Sequence, residues 1–240
     1  LVDQIMDQQI VKKIRRAVSD KDIGSLREIL ENFHGADIAD FLEQVSRTER
    51  LEIVSLWGSW IRGDVLSELT EKVRNDLLEE IPTTFLVGAL NNLQTDDIVD
   101  LLDDTERNKK EEILKSFKKS DRAALERSLR YRDNSAGRIM QLEVVTAPEH
   151  WTVGDTIDFL RSNTEVPTNF YEVIILSPKA HPLGRVPLGA LMSSPPGKPL
   201  KDLMRKDFRL LRVNESREDV AYSFNQYRMV SAPVVDEDNR

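Results

Sequence analysis

The chain is 240 residues long, 40% hydrophobic and 32% charged, enough for two ordinary domains with real cores. Its 42 acids against 34 bases give a net charge of -8, which repels phosphate backbones and excludes nucleic acid as an expected partner, while cations and basic surfaces fit. The absence of cysteine excludes disulfides, zinc–thiolate sites and thiol nucleophiles. No run approaches the roughly 20 apolar residues that span a bilayer. The opening Leu1-Val2-Asp3-Gln4 lacks a basic n-region and an apolar h-region, so no secretory leader is expected. It also lacks an initiator Met, which suggests a trimmed chain.

Residues 3–130 read as a run of short helices. Apolar residues recur at three and four: Ile38, Phe41, Leu42 and Val45, then Leu51, Ile53, Val54 and Leu56, then Val73, Leu77, Leu78 and Ile81. Thr70, Pro82, Thr95 and Ser120 stand before such runs as expected N-cap positions, with acids following at the positive ends of the helix dipoles. Ala36 to Leu42 echoes Asp96 to Leu102 at an offset of 60, and Ile53-Val54 echoes Ile113-Leu114, which points to an α-superhelical stack.

The most informative acidic run is Asp96, Asp97, Asp100, Asp103, Asp104 and Glu106. Asp96 and Asp100 share a helix face, as do Asp100 and Asp104. A hard divalent cation would relieve such like charges, because Mg²⁺ takes one or two carboxylates and keeps several waters. The same spacing also suits a solvated helix face, and both readings stand at this point.

The texture changes near Tyr131 to Gly137. Only Pro82 of the 10 prolines precedes Pro148, and 27 acids lie in residues 1–132 against 15 in 133–240. Strands are expected at Val144 to Thr146, Val173 to Leu176, Arg209 to Val213 and Ala232 to Val235. Capping-box openings at Thr152-Val-Gly-Asp155 and Ser216-Arg-Glu-Asp219 predict the helices between them. Strand, capped helix and strand thus occur twice, about 64 residues apart from Met140 to Met204, and the first copy continues past Gly184 into a further strand and helix. The second copy stops earlier, which implies a unit cut short.

This twofold pattern resembles a tandem pair of cystathionine-β-synthase-type (CBS) modules. The opening helices, the Asp96-Asp-Ile-Val-Asp100 signature and the junction Arg130-Tyr-Arg-Asp-Asn-Ser-Ala-Gly-Arg-Ile-Met140 resemble the MgtE family of magnesium transporters and channels. The resemblance implies an α + α/β architecture: an α-superhelical N domain over 1–132, a first CBS module over 138–200 and a truncated second module over 201–240. It implies a cytosolic Mg²⁺ sensor in which the ion bridges acidic N-domain and CBS faces and favours the closed state of a pore. That pore would be the protein's own transmembrane domain, absent from this chain, with the sensor at the cytoplasmic face of the inner membrane and CBS modules forming a homodimer. By position, the family's cation ligands fall on Asp64, Asp96, Asp100, the Gly137 backbone carbonyl and Glu218. Arg228 stands where an acid is expected, and Ser216 and Asn225 where other ligands are.

Some of the family binds ATP between CBS modules, through a Gly, a Ser/Thr and an Asp. Here Gly184 is followed by Pro187 and Ala190, so the pattern does not support nucleotide binding. His34, His150 and His181 lack metal-type spacing, and Trp57, Trp60 and Trp151 suit packing better than a ligand cage. No phosphate loop, serine elbow or paired acid–base motif points to catalysis. Two alternatives remain: a scaffold like the middle helices of flagellar switch proteins, or a nucleotide-sensing CBS region of another protein.

Overall fold

The computed structural model describes residues 6–103, 105–164 and 166–240. The chain divides into two compact units, Leu1–Glu126 and Arg127–Arg240. In the first unit short helices follow one another: α1 (Gln8–Ser19), α2 (Ile23–Glu31), α3 (Gly35–Gln44), α4 (Arg47–Trp57), a 3₁₀ turn (Gly58–Trp60), α5 (Gly63–Glu68), α6 (Glu71–Glu80), α7 (Thr83–Leu90), α8 (Thr95–Asp103), α9 (Arg107–Ser116) and α10 (Lys119–Ser128). Helices two places apart stack: α2 on α4, α3 on α5, α5 on α7, and α7 on α9, with α8 also against α5. Helices this short are marginal alone, so the stack that buries Ile38, Leu42, Ile53, Leu66, Leu77, Leu86 and Leu90 holds them. Trp57 belongs to this core, whereas Trp60 is 47% exposed with the Arg27 guanidinium over its ring at 3.5 Å.

The 60-residue echo has a physical counterpart. The buried Arg50 of α4 donates to the Leu42 and Val45 carbonyls at the end of α3, at 2.7 and 3.3 Å. Lys110 of α9, 60 positions later, donates to the Asp103 carbonyl at the end of α8 at 3.1 Å. In both places a cation from the next helix satisfies a C-terminal carbonyl and faces the negative end of the dipole.

Two expected caps are corrected. Thr95 lies inside α8, because Ile98 donates to the carbonyl of Gln94, and Ser120 lies inside α10, because Arg122 donates to the carbonyl of Lys118. Ser120 turns its hydroxyl to Asp121 instead. Thr70 and Pro82 do precede α6 and α7, without a side-chain bond. His34 caps α3, its Nδ1 accepting from the Ala36 amide at 3.2 Å.

The second unit contains α11 (Ala136–Ile139), β1 (Thr146–Pro148), α12 (Val153–Ser162), β2 (Glu172–Leu176), β3 (Pro182–Pro187), α13 (Leu188–Met192), α14 (Leu200–Leu203), β4 (Leu211–Arg212), α15 (Arg217–Tyr227) and β5 (Val234–Val235). β1 runs parallel to β2 across α12, and β4 parallel to β5 across α15. β3 returns antiparallel on β2. The first strand starts later than expected, with Thr146 opposite Ile174, and leaves Val144 exposed; the third shrinks to two residues. Val145, Ala147, Val153, Val173, Ile175, Val186, Leu191 and Leu200 form the core, with Trp151 packed against it.

Both expected helix openings of this unit are capped. Asp155 accepts from the Thr152 amide at 2.9 Å and from its hydroxyl at 2.7 Å, and the Thr152 oxygen accepts from the Asp155 amide. Ser216 and Asp219 pair similarly at the head of α15.

Two outcomes follow. Gly184 lies where β3 approaches the chain so closely that a Cβ would come within 2.6 Å of the Arg205 carbonyl, because Arg185 and Arg205 exchange backbone bonds at 2.9 and 3.0 Å. Gly184→Ala is expected to cost about 1–3 kcal/mol in chemical denaturation of the second unit. The backbone and side-chain bonds from Thr152 hold the Asp155 carboxyl below its ordinary value, against a small opposing desolvation and with a minor contribution from His150. Its folded pKa is therefore lower than its unfolded one, so its contribution is full above about pH 4 and fades as pH falls through the folded value. Thermal melts should show part of the acid-side loss disappear in Asp155→Asn.

Candidate functional site

The acidic helix is built by its own alternation. In α8, Ile98, Val99, Leu101 and Leu102 are buried, which turns Asp96, Asp97, Asp100 and Asp103 outward or to the rim of the core. Asp96 and Asp97 occupy the first turn, where the helix dipole favours negative charge. Asp100, one turn on, is the most open, with 72% of its side chain exposed. Its Oδ2 accepts from Nη1 of Arg74 at 3.1 Å. Arg74 comes from the buried face of α6, beside Leu77 and Leu78. Asp104 lies outside the described residues.

Asp64 sits in the first turn of α5, which packs against α8. Arg62 grips both of its oxygens: Nε donates to Oδ1 at 2.9 Å and Nη2 to Oδ2, while Nη1 donates to the Phe33 carbonyl at 3.0 Å. Gly35 at the head of α3 makes room for this pair, since a Cβ there would come within 2.7 Å of Asp64 Oδ2. Among the described residues no three carboxylates or histidines converge on one point suited to a metal. Asp96 and Asp100 therefore form one face, and Asp64 forms a separate, arginine-held acid.

In the second unit the junction is tied down. The amides of Ala136 and Gly137 donate to the carbonyls of Glu215 and Val213 at 2.8 and 3.0 Å, and the Arg217 amide donates to the Asn134 carbonyl at 2.7 Å. These bonds bring Gly137 against the strand end and helix head that carry Ser216 and Glu218. Glu218 is exposed in the first turn of α15. Ser216 is engaged as the cap of that helix, and Arg228 ends it in the left-handed conformation at φ 49. Arg138 donates to the Ser128 carbonyl at 3.3 Å and pairs with Asp133 at 3.4 Å. Gly137 has no room for a side chain, because Tyr131 lies across it.

The donors on the α8 face are carboxylate oxygens, open to water at Asp100 and with Oδ1 buried at Asp96, and a carboxylate set of this kind suits a hard cation such as Mg²⁺ that keeps several waters. Asp96 and Asp100 fit that chemistry. At Asp64 a cation would compete with the Arg62 fork. Arg62 and Arg74 carried no functional expectation from the sequence. Arg62 stands two positions from its acid and could have been paired by inspection, but Arg74 meets an acid 26 residues away only through the tertiary fold.

A stack of short helices with an acidic outer face, followed in the chain by two strand–helix–strand units, defines the helical-plus-CBS fold class. The MgtE intracellular N domain matches residues 33–134, and a CBS domain matches 200–240. The magnesium transporter MgtE of Thermus thermophilus is 28% identical over 238 residues, covering 98% of this chain and 53% of that protein. MgtE of Enterococcus faecalis is 25% identical over 115 residues, covering 48% of this chain and 25% of that protein. Among solved structures, the cytosolic domain of the Mg²⁺ channel MgtE in complex with ATP superposes with a TM-score of 0.87 at 25% identity, over 95% of this chain and 94% of that one. The soluble part of a magnesium transporter superposes at 0.83 with 21% identity, over 98% and 92%.

The chain is thus similar to MgtE proteins along nearly all of its length, with its MgtE-type match centred on residues 33–134, and it spans about half the length of its Thermus relative. Among the described residues, no helix is long and apolar enough to cross a membrane.

The junction yields one outcome. Gly137→Ala would set a Cβ within 2.7 Å of the Tyr131 ring. It is expected to shift the Tyr131 ring resonances and to destabilise the second unit by about 1–3 kcal/mol, read by NMR and by denaturant midpoint.

Proposed function

We propose that this chain is the Mg²⁺-sensing regulatory region of a magnesium transporter or channel. The observation that carries the reading is the outward acidic face of α8, with Asp100 72% exposed, in a chain 98% of which aligns with 53% of a magnesium transporter. Residues 1–132 act as the sensing N domain, 138–200 as the first CBS module and 201–240 as part of the second. Asp96 and Asp100 are the primary cation ligands, with Asp64, the Gly137 carbonyl and Glu218 as further ones. Mg²⁺ is the regulatory ligand. The remaining partners are a second copy of the chain, met through the CBS modules, and the protein's own transmembrane domain at the cytoplasmic face of the membrane.

The mechanism follows from charge. Carboxylates at helical spacing repel, and a bound divalent ion reverses the sign of that interaction. An arrangement that gathers acidic surfaces around the ion is populated when Mg²⁺ is abundant and lost when it is scarce, because the ion binds the gathered state more tightly. In the intact protein, the gathered state corresponds to the closed pore.

Limited proteolysis of the chain during Mg²⁺ titration at constant ionic strength tests this reading. Saturable protection by Mg²⁺, absent with K⁺ at equal ionic strength, is expected. Asp96→Asn with Asp100→Asn should raise the Mg²⁺ midpoint at least about threefold, since each carboxylate removed takes away a charge from the ion's site. An unchanged midpoint reduces those residues to a solvated face.

A further inference from the structure

Arg74 occupies the core face of α6, in register with the buried Leu77 and Leu78, and only 8% of its side chain is exposed. A guanidinium in that position needs a polar partner, because an uncompensated buried charge is strongly destabilising. The same fold shows a way to meet that need without an acid: Arg50, equally buried on α4, donates to two backbone carbonyls at the end of α3. Arg74 instead reaches Asp100, the most open acid of the α8 face, with Nη1 3.1 Å from Oδ2. A buried cation is thus anchored directly behind the proposed ion ligand.

Resting on the cation reading of Asp96 and Asp100, we infer that Arg74 is the positioning and affinity-setting residue of that site. It fixes the Asp100 carboxylate by one oxygen and leaves the other for the ion. Its fixed positive charge weakens the attraction of the face for any cation. The ion shares Asp100 with Arg74 by taking the oxygen that the Nη1 bond leaves open. The face therefore answers to high rather than trace Mg²⁺.

The test follows the Asp100 side-chain carboxyl ¹³C signal and the Arg74 Nε–H signal of the full chain during Mg²⁺ titration at constant ionic strength. In the wild type, both signals should move with one midpoint, and the Arg74 signal should stay protected from solvent exchange at saturation. Arg74→Gln should tighten Mg²⁺ binding by a factor on the order of three to thirty, whereas Arg74→Lys, which keeps the charge, should stay near the wild-type midpoint.

A wild type that responds to Mg²⁺ at Asp100 while Arg74→Gln, folded by circular dichroism, binds no more tightly overturns the inference and leaves the cation reading intact. No saturable movement of Asp100 in the wild type overturns the cation reading, and the inference with it. Should Arg74→Gln fail to fold, the wild-type signals decide. Joint movement supports the inference, and an Arg74 signal that ignores Mg²⁺ or loses its protection at saturation overturns it.

Discussion

The first unit turns on how charge is placed relative to burial. Each short helix must bury an apolar stripe to exist at all, and the stripe of α8 forces its aspartates outward or to the rim of the core, with Asp96 and Asp100 on a shared face. That face is stable as built because its charges are answered locally: by the helix dipole at Asp96 and Asp97, and by Arg74 at Asp100. The arrangement is electrostatically satisfied yet still open to a cation, because Arg74 engages one oxygen of a carboxylate that remains mostly in water. Asp64 shows the contrasting case, where Arg62 takes both oxygens.

The second unit obeys a different constraint. Its strands are short, and one pairs over only two residues, so side-chain packing and tight backbone approaches hold it together. Gly184 and Gly137 are both places where a methyl group would not fit. The junction residues 134–137 are hydrogen-bonded into this unit through 213–217, so they form part of its structure rather than a loose connection. Gly137 and the head of the Glu218 helix are held close by these bonds.

Much of this was legible in the sequence, for identifiable reasons. Helices persist wherever apolar spacing repeats, and the echo between Ala36 to Leu42 and Asp96 to Leu102 marks helices whose ends are closed alike by Arg50 and Lys110. The caps at Thr152 and Ser216 were readable because hydroxyl and acid stand three apart and nothing competes. Thr95 and Ser120 misled for the same local pattern, since backbone carbonyls one or two residues earlier had already opened the helices. The acidic face was visible as spacing. Its counter-cation was not, because the Arg74–Asp100 pair exists only once the fold brings these two side chains together, and no local rule relates residues 26 apart.

A cation site on the α8 face differs from a hydrated acidic surface in holding a divalent ion at one place. The most direct measurement replaces Mg²⁺ with paramagnetic Mn²⁺ at substoichiometric levels and maps which backbone amides broaden. Broadening centred on residues 96–100, extending to Arg74, and reversed by excess Mg²⁺ but not by K⁺ at equal ionic strength, is the expected result. Broadening spread evenly over the acidic surface, or centred elsewhere and indifferent to Mg²⁺, would contradict it.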